Sequence, residues 1–309
     1  MSSYKTIHHQ HHHVGWDNSL APVVEVEPGA ALELHTLDSS GGQLTAESTA
    51  ADVGLLDFSM VNPVTGPMRI TGAEPGDAVE IEIVDFDESG WGWTGIIPGF
   101  GLLADEFTEP FMNIAPYDAK RVEFQPGIHL PTRPFPGTIG LALSEPGVHS
   151  VVPPRAQGGN LDVRDLTRGS KLWLPVAVPG GLLSIGDTHA AQGDGEVCGT
   201  AIETAMTIRV RVNLLKGAGY TNPRYELSGA AATEPMPLGF YATTGVAPDL
   251  MDATKDAIRA MIEHLGKEYG LEPDLAYALC SVAVNLRISE VVDMPNWVVS
   301  AVLPKHIFV

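Results

Sequence analysis

The sequence predicts a mainly β protein, a sandwich or barrel, whose last third turns to α+β. Three observations carry this. Strand, turn, strand units recur along the first two thirds; 24 prolines and 33 glycines punctuate the chain; and helical spacing of apolar residues first becomes clear beyond Asn213.

The first unit runs from Pro22 to His35. Apolar and polar residues alternate on both sides of Glu27-Pro28-Gly29, the pattern of a half-buried hairpin closed by a turn. The second runs from Met68 to Asp85 around Glu74-Pro75-Gly76-Asp77, and a third, looser copy spans Leu166 to Val176. Their spacing is irregular, so they are variations on a hairpin and not a solenoid repeat. Asp38-Ser39-Ser40-Gly41-Gly42-Gln43 and Asn62-Pro63-Val64-Thr65-Gly66-Pro67 read as loops, with Asp38 as a turn former. The apolar loop Gly95 to Gly101 lacks the G-x-G-x-x-G spacing of a nucleotide site but can line a small pocket, with Ile97, Phe100, Leu102 and Trp91 or Trp93 as its wall. After the strand Arg209 to Asn213, apolar Leu250, Ala257, Met261, Ile262 and Leu265 fall on one helical face that Gly270 terminates. A second helix is expected from Pro273 through Leu275, Leu279, Val282 and Leu286, with Cys280 packed among its apolar residues, and Trp297 to Val302 is a last strand. Residues 1–215 are therefore expected to form the β domain and 216–309 an α+β part packed on it.

The formal net charge of −20 argues against nucleic acid and anionic membrane surfaces as partners. No apolar run reaches transmembrane length, and Met1 to Lys5 does not lead into a signal-peptide segment. Two cysteines, Cys198 and Cys280, give no disulfide framework, and a cytoplasmic protein is the expectation. His8, His9, His11, His12 and His13 form a histidine-rich stretch that is interrupted at Gln10 and has no linker, so it reads as native. His8 to His12 are expected to be solvated and disordered. His13 stands apart, because Trp16 and Asp17 follow it and lead into a strand.

The densest chemistry lies in Gly186 to Gly199. Asp187 and His189 are two apart, as are Asp194 and Glu196, so an extended backbone projects each pair from one face. Gly193 and Gly195 permit a bend between the pairs and leave room for an ion or substrate. Carboxylates mixed with imidazole suit a divalent ion, zinc through His and Asp or Glu, calcium or magnesium through oxygen alone. Upstream, Asn160 and Asp162 follow a flexible Gly158-Gly159 lead, and a β architecture can bring Asp162 alongside His189.

With these residues in view, the chain resembles the acetamidase/formamidase family. The likeness runs through Val24 to Gly29, Gly41-Gly42-Gln43, Asn62 to Pro67, Gly72 to Asp77, Ile97 to Gly101, Gly158 to Asp162, Gly186 to Ala190, Gly193 to Glu196 and Leu286 to Asp293, nearly the whole chain in order. It implies a jelly-roll-like β domain, a smaller α+β part, a divalent ion near the Asp/His/Glu cluster (zinc ahead of calcium), a homo-oligomer, and hydrolysis of short-chain linear amides to carboxylate and ammonia. One departure is Asn285 ahead of Leu286-Arg287, where an acidic residue is expected to orient Arg287. Amide hydrolysis needs a nucleophile stronger than water, a stabilised oxyanion and a proton for ammonia. Asp187, His189 and Glu196 are accordingly expected to hold the metal; Glu196, Asp194, Asp162 and His13 to act in proton transfer; and Asn160 and Gly193 to meet the substrate. The rival readings are a non-catalytic sandwich that binds a metal or small ligand, an amidase of cyclic amides, and a thiolate amidase built on Cys198. Cys198 between Val197 and Gly199 has no lysine near it in sequence. Replacing Cys198 by Ser is expected to leave amide turnover intact; loss of all turnover would establish a thiol nucleophile instead.

Overall fold

The computed structural model describes residues 4–228, 236 and 238–308. Met1 to Ser3, where the segment read as carrying no leader begins, lie outside the described residues. Two β-sheets face one another. The larger has nine strands, in the spatial order Lys5–Ile7, Ala30–His35, Met206–Leu215, Ala78–Glu88, Ser170–Pro175, Arg224–Ser228, Gly239–Ala247, Trp297–Pro304 and Asn285–Glu290. The smaller runs Gly158–Asn160, Phe135–Gly140, Leu183–His189, Val64–Ile70 and His12–His13, with Val24–Val26 also paired to Val64–Ile70. Alternate residues of both meet in one core: Leu32, Leu34, Ile81, Ile83, Leu172 and Leu174 from the larger sheet pack with Met68, Ile70, Ile139, Leu183 and Ile185 from the smaller.

The repeated units are not hairpins. Val24–Val26 belongs to the smaller sheet and Ala30–His35 to the larger, so Glu27-Pro28-Gly29 carries the chain across the sandwich. Glu74 to Asp77 does the same between Val64–Ile70 and Ala78–Glu88. The third unit, Leu166 to Val176, holds a single strand, Ser170–Pro175, in the larger sheet, so it is not a strand, turn, strand unit at all. Alternation records only that one face of each strand is buried, and an arch between sheets satisfies that as well as a hairpin does.

The helix Leu250–Tyr269 forms as its spacing predicts. Asp249 caps it by accepting from the Asp252 N–H at 2.9 Å, and Gly270 ends it in a left-handed conformation, φ 66°. Ala253, Ala257, Met261 and Leu265 face Tyr241, Val299, Ala301 and Leu303 of the larger sheet. The second helix is shorter than expected: it spans Pro273–Ala283, and Leu286 lies in the edge strand Asn285–Glu290. Its buried face is Ala276 and Cys280, while Leu275 and Val282 are exposed. Cys280 is buried as expected, and burial pushes its thiol pKa up. The larger sheet includes strands from both sides of residue 215. Among the described residues no helix is long and apolar enough to cross a membrane.

The helix layer touches the sheet at Gly245, where an added Cβ would sit 1.8 Å from the Ala253 carbonyl oxygen. Gly245→Ala is expected to cost about 3 kcal/mol, seen as a lowered midpoint in denaturant. An unchanged midpoint would mean that the helix docks less closely than described.

Candidate active site

The site forms where the strand Leu183–His189 leaves the sandwich. Leu183 and Ile185 point into the inter-sheet core. Asp187 then takes a left-handed backbone, φ 52°, which breaks the alternation. Beyond it Thr188 reaches Thr36, which follows the strand Ala30–His35, with the hydroxyls 3.0 Å apart, and this leaves Asp187 and His189 on the other face. Five non-glycine residues have positive φ among those described, and four of them, Asn62, Asp162, Asp187 and Glu196, belong to this site. Backbone strain of that kind concentrates where a side chain must be aimed.

His189 is the hub. Its Nε2 lies 3.1 Å from Asp187 Oδ1, 3.2 Å from Glu203 Oε2 and 4.0 Å from Glu196 Oε1, and its Nδ1 lies 3.7 Å from Asp162 Oδ1. All five side chains are buried. Glu203 arrives because the chain, after the excursion that carries Glu196, returns alongside: the Ala190 N–H donates to the Ile202 carbonyl and the Thr204 N–H to the Thr188 carbonyl. Asp187 Oδ2 accepts from Thr138 at 3.2 Å and from Asn62 Nδ2 at 3.3 Å. Asn160 takes the Thr138 hydroxyl on its Oδ1 and donates to Asp293 Oδ2 at 2.5 Å. Gln192 donates to the Asp162 carbonyl at 2.9 Å, so its Oε1, also 2.9 Å from His189 Nδ1, accepts the imidazole N–H. That leaves His189 Nε2 as the nitrogen facing the carboxylates.

The electrostatics are one-sided. Burial pushes the Asp162 carboxyl up to about 7, and burial followed by the Asp162 charge holds Glu196 well above the carboxylate range. Burial likewise raises Glu203 and Asp293. Burial works against the charge of Asp187 too, but the adjacent imidazole outweighs it and holds that carboxyl low. For His189, burial opposes the proton and the charges of Glu203 and Asp187 win, so its pKa rises well above the ordinary value.

The donors fit a divalent cation. Asp187, His189 and Glu203, and again Asp162, His189 and Glu196, each bring one ligand atom within 4.8 Å of one another. Both oxygens of Asp162 and Oε2 of Glu203 are buried with no hydrogen-bond partner. Gly137 keeps the space open, since a Cβ there would meet His189 Cε1 at 2.5 Å and Asp162 Oδ1 at 2.6 Å. Beside these groups lies a cavity of about 80 Å³, walled by Asn62, Asn160, Asp187, Glu196 and Glu203 on one side and by Phe58, Trp93, Ile97 and Phe100 on the other. No lysine or arginine lines it.

The structure thus gathers Asp187, His189, Glu196, Asp162 and Asn160. It does not gather the other three expected residues. Asp194 pairs with Arg164 (3.0 Å) and, with Gly193, lines a larger cleft of about 990 Å³ on the far side of Glu196. His13 is held by the Gly15 carbonyl at 2.7 Å and the Ser184 hydroxyl at 2.8 Å, and burial lowers its pKa. Of the expected pocket wall, Trp93, Ile97 and Phe100 line the small cavity, while Leu102 is exposed and Trp91 packs beside Leu44 and Val53. Asp38 serves its turn and anchors Trp93 through Nε1 at 2.7 Å. Arg287 is oriented by Asp165, 2.9 Å away, in place of residue 285. Glu203, Asp293, Asn62, Thr138, Gln192 and Gly137 are members that local sequence did not single out; Glu203, a lone acid between Ile202 and Thr204 in an apolar run, carried the clearest signal.

A buried acid and imidazole cage in a β-sandwich, beside a small cavity, is a candidate metal centre with room for a small ligand, and comparison with known proteins specifies the class of chemistry. The chain belongs to the acetamidase/formamidase family, whose sequence pattern matches residues 1–151 and 144–309. It is 30% identical over 370 aligned positions to the formamidase of Methylophilus methylotrophus, covering 96% of this chain and 89% of that one. It is 28% identical to the acetamidase of Mycolicibacterium smegmatis, with 86% and 84% covered. The crystal structure of an acetamidase from Bacillus halodurans superposes with a TM-score of 0.89 at 30% identity, covering 98% of each chain. The chain is an amidohydrolase acting on the carbon–nitrogen bond of amides.

The raised carboxyls set a pH dependence. Asp162 has a folded pKa of about 7, above its ordinary value, so its contribution to stability is full below the ordinary carboxylate range and is lost as pH rises through about 7. Glu196, Glu203 and His189, all raised, act in the same direction. Buried His13 and His264, whose pKa values are lowered, act in the opposite direction. In chelator-treated protein, Asp162→Asn is therefore expected to remove part of the stability lost between pH 5 and pH 8 in wild type, read as a difference between the two melting-temperature profiles. Identical profiles would contradict the burial of Asp162.

Proposed function

We propose that the cage around His189 holds a divalent metal, zinc in preference to calcium, and that the chain hydrolyses short-chain linear amides of the formamide and acetamide type to carboxylate and ammonia. The observation that carries this is the set of orphaned, buried carboxylate oxygens around one imidazole. A mixed nitrogen and oxygen donor set favours zinc. Asp187, His189 and Glu203 hold the ion, with Gln192 fixing the imidazole and Asn62 and Thr138 fixing Asp187. Such an ion supplies Lewis acidity toward the amide carbonyl and acidifies water. Glu196 lines the cavity with a carboxyl that burial raises well above its ordinary range; in its ionised form it takes a proton from water and returns it to the departing nitrogen, with Asp162 beside it. Asn160 and Asn62 offer amide groups to the substrate. Phe58, Ile97 and Phe100 keep bulk water out, and about 80 Å³, the share of roughly two or three water molecules, limits the acyl group to a very few heavy atoms. The same reading makes the chain a cytoplasmic homo-oligomer, supported by its unpaired cysteines and by the prevalence of symmetric assemblies.

Ammonia release from formamide, acetamide and a small lactam, before and after chelation, tests the reading. The linear amides are expected to be cleaved, chelation to abolish turnover and zinc to restore it. Glu196→Gln is expected to lower kcat by about 10²- to 10⁴-fold. If no amide releases ammonia with any added metal, the chain is instead a metal-binding sandwich without this activity.

A further inference from the structure

The histidine-rich stretch takes no part in the chemistry above, and contrary to the expectation of disorder it has a defined path. Lys5–Ile7 pairs in parallel with Leu32–Leu34 at the edge of the larger sheet, and that register sets His8 beside His35. The chain then closes a tight turn, with the His11 N–H donating to the His8 carbonyl at 3.0 Å and the His12 ring on the His9 carbonyl at 2.7 Å.

We propose that His8 and His35 form a second metal site, for a borderline divalent ion such as zinc, nickel or copper, separate from the cage around His189. Their Nδ1 atoms lie 3.2 Å apart with the rings edge-on at 70°. Two nitrogens on a tetrahedral zinc, with bonds of about 2.0–2.1 Å, stand about 3.3 Å apart, so the pair is already spaced as ligands. The far nitrogen of His35, Nε2, faces Glu33 Oε1 at 3.7 Å, and Arg209 fixes that carboxylate through Oε2 at 2.9 Å. At that separation Glu33 adds negative charge behind the ring without a direct hydrogen bond, and it leaves the Nδ1 that faces His8 as the nitrogen for a metal. His8 is exposed and free to present its Nδ1 lone pair toward the same point. Imidazole nitrogens select a transition ion over calcium or magnesium. With two protein ligands and water completing the shell, the site is open and exchangeable, at the sheet edge and outside the catalytic cavity.

The alternative is that the two rings only hydrogen-bond to each other. Calorimetric titration of the chelator-stripped full chain with zinc, repeated with cobalt for its visible absorption, decides between them. Wild type is expected to take up one more equivalent than His8→Ala/His35→Ala. His9→Ala/His11→Ala/His12→Ala is expected to match wild type, and turnover of formamide by the reconstituted double variant to be unchanged. His8→Ala alone, at an exposed position, is expected to lose the same equivalent and covers the case of a double variant that does not fold. Equal uptake by wild type and the His8 variants overturns the proposal. So does loss of the equivalent in the triple variant, which would assign binding to the linear histidine run.

Discussion

Asp162, Asp187, Glu196 and Glu203 are buried around one imidazole, with Asp293 buried behind Asn160, and the rest of the site is built to tolerate that excess of negative charge. Within each group of ligand atoms the separations stay under 4.8 Å, and at that distance two like charges cost about 3 to 4 kcal/mol even at an effective dielectric constant near 20. A fold does not keep such a group together by accident. Protonation relieves part of this cost: burial first, and neighbouring negative charge after it, raise the pKa values of Asp162, Glu196 and Glu203. A cation relieves far more, and it leaves the carboxylates charged and available for proton transfer.

The sandwich is what makes the arrangement rigid. Asp187 and His189 end a strand that pairs with Phe135–Gly140 along its length and with Val64–Ile70 as far as Gly186, and beyond that point the returning segment at Glu203 takes the second side, so the backbone is held on both edges. The same neighbours supply Gly137, Thr138 and Asn62, which respectively clear space, donate to Asp187 and bridge to Asn160. Left-handed backbone at four site residues redirects side chains that regular alternation would have sent into the core or out to solvent. The cost in strain and desolvation is carried by the continuous apolar core between the sheets.

Much of this was legible from the sequence, and the parts that were not share a cause. Period-two alternation identified the strands around Glu27-Pro28-Gly29 and Glu74 to Asp77, but pairing partners are non-local, so arches between sheets read as hairpins. The helix Leu250–Tyr269 and its stop at Gly270 were readable because a glycine stop is local chemistry, whereas the end of the second helix was set by strand pairing of Asn285–Glu290 with Trp297–Pro304. In the site, Asp187, His189, Glu196, Asp162 and Asn160 were visible as dense polar residues among glycines. Asp194 looked equivalent to Glu196 by spacing, yet the left-handed turn at Glu196 sends the two in different directions and Arg164 claims Asp194. Asp293 comes from a distant segment and Glu203 returns beside His189 after the excursion through Glu196, and only the folded chain shows that they converge.

A cation at His189 Nε2 is what the proposed chemistry requires, and anomalous diffraction from crystals of the purified protein, recorded on both sides of the zinc absorption edge, tests for it directly. A peak bounded by His189 Nε2, Asp187 and Glu203 that vanishes below the edge is the predicted result. Density maps with no scatterer heavier than water among those side chains, in protein that turns over formamide, would contradict it.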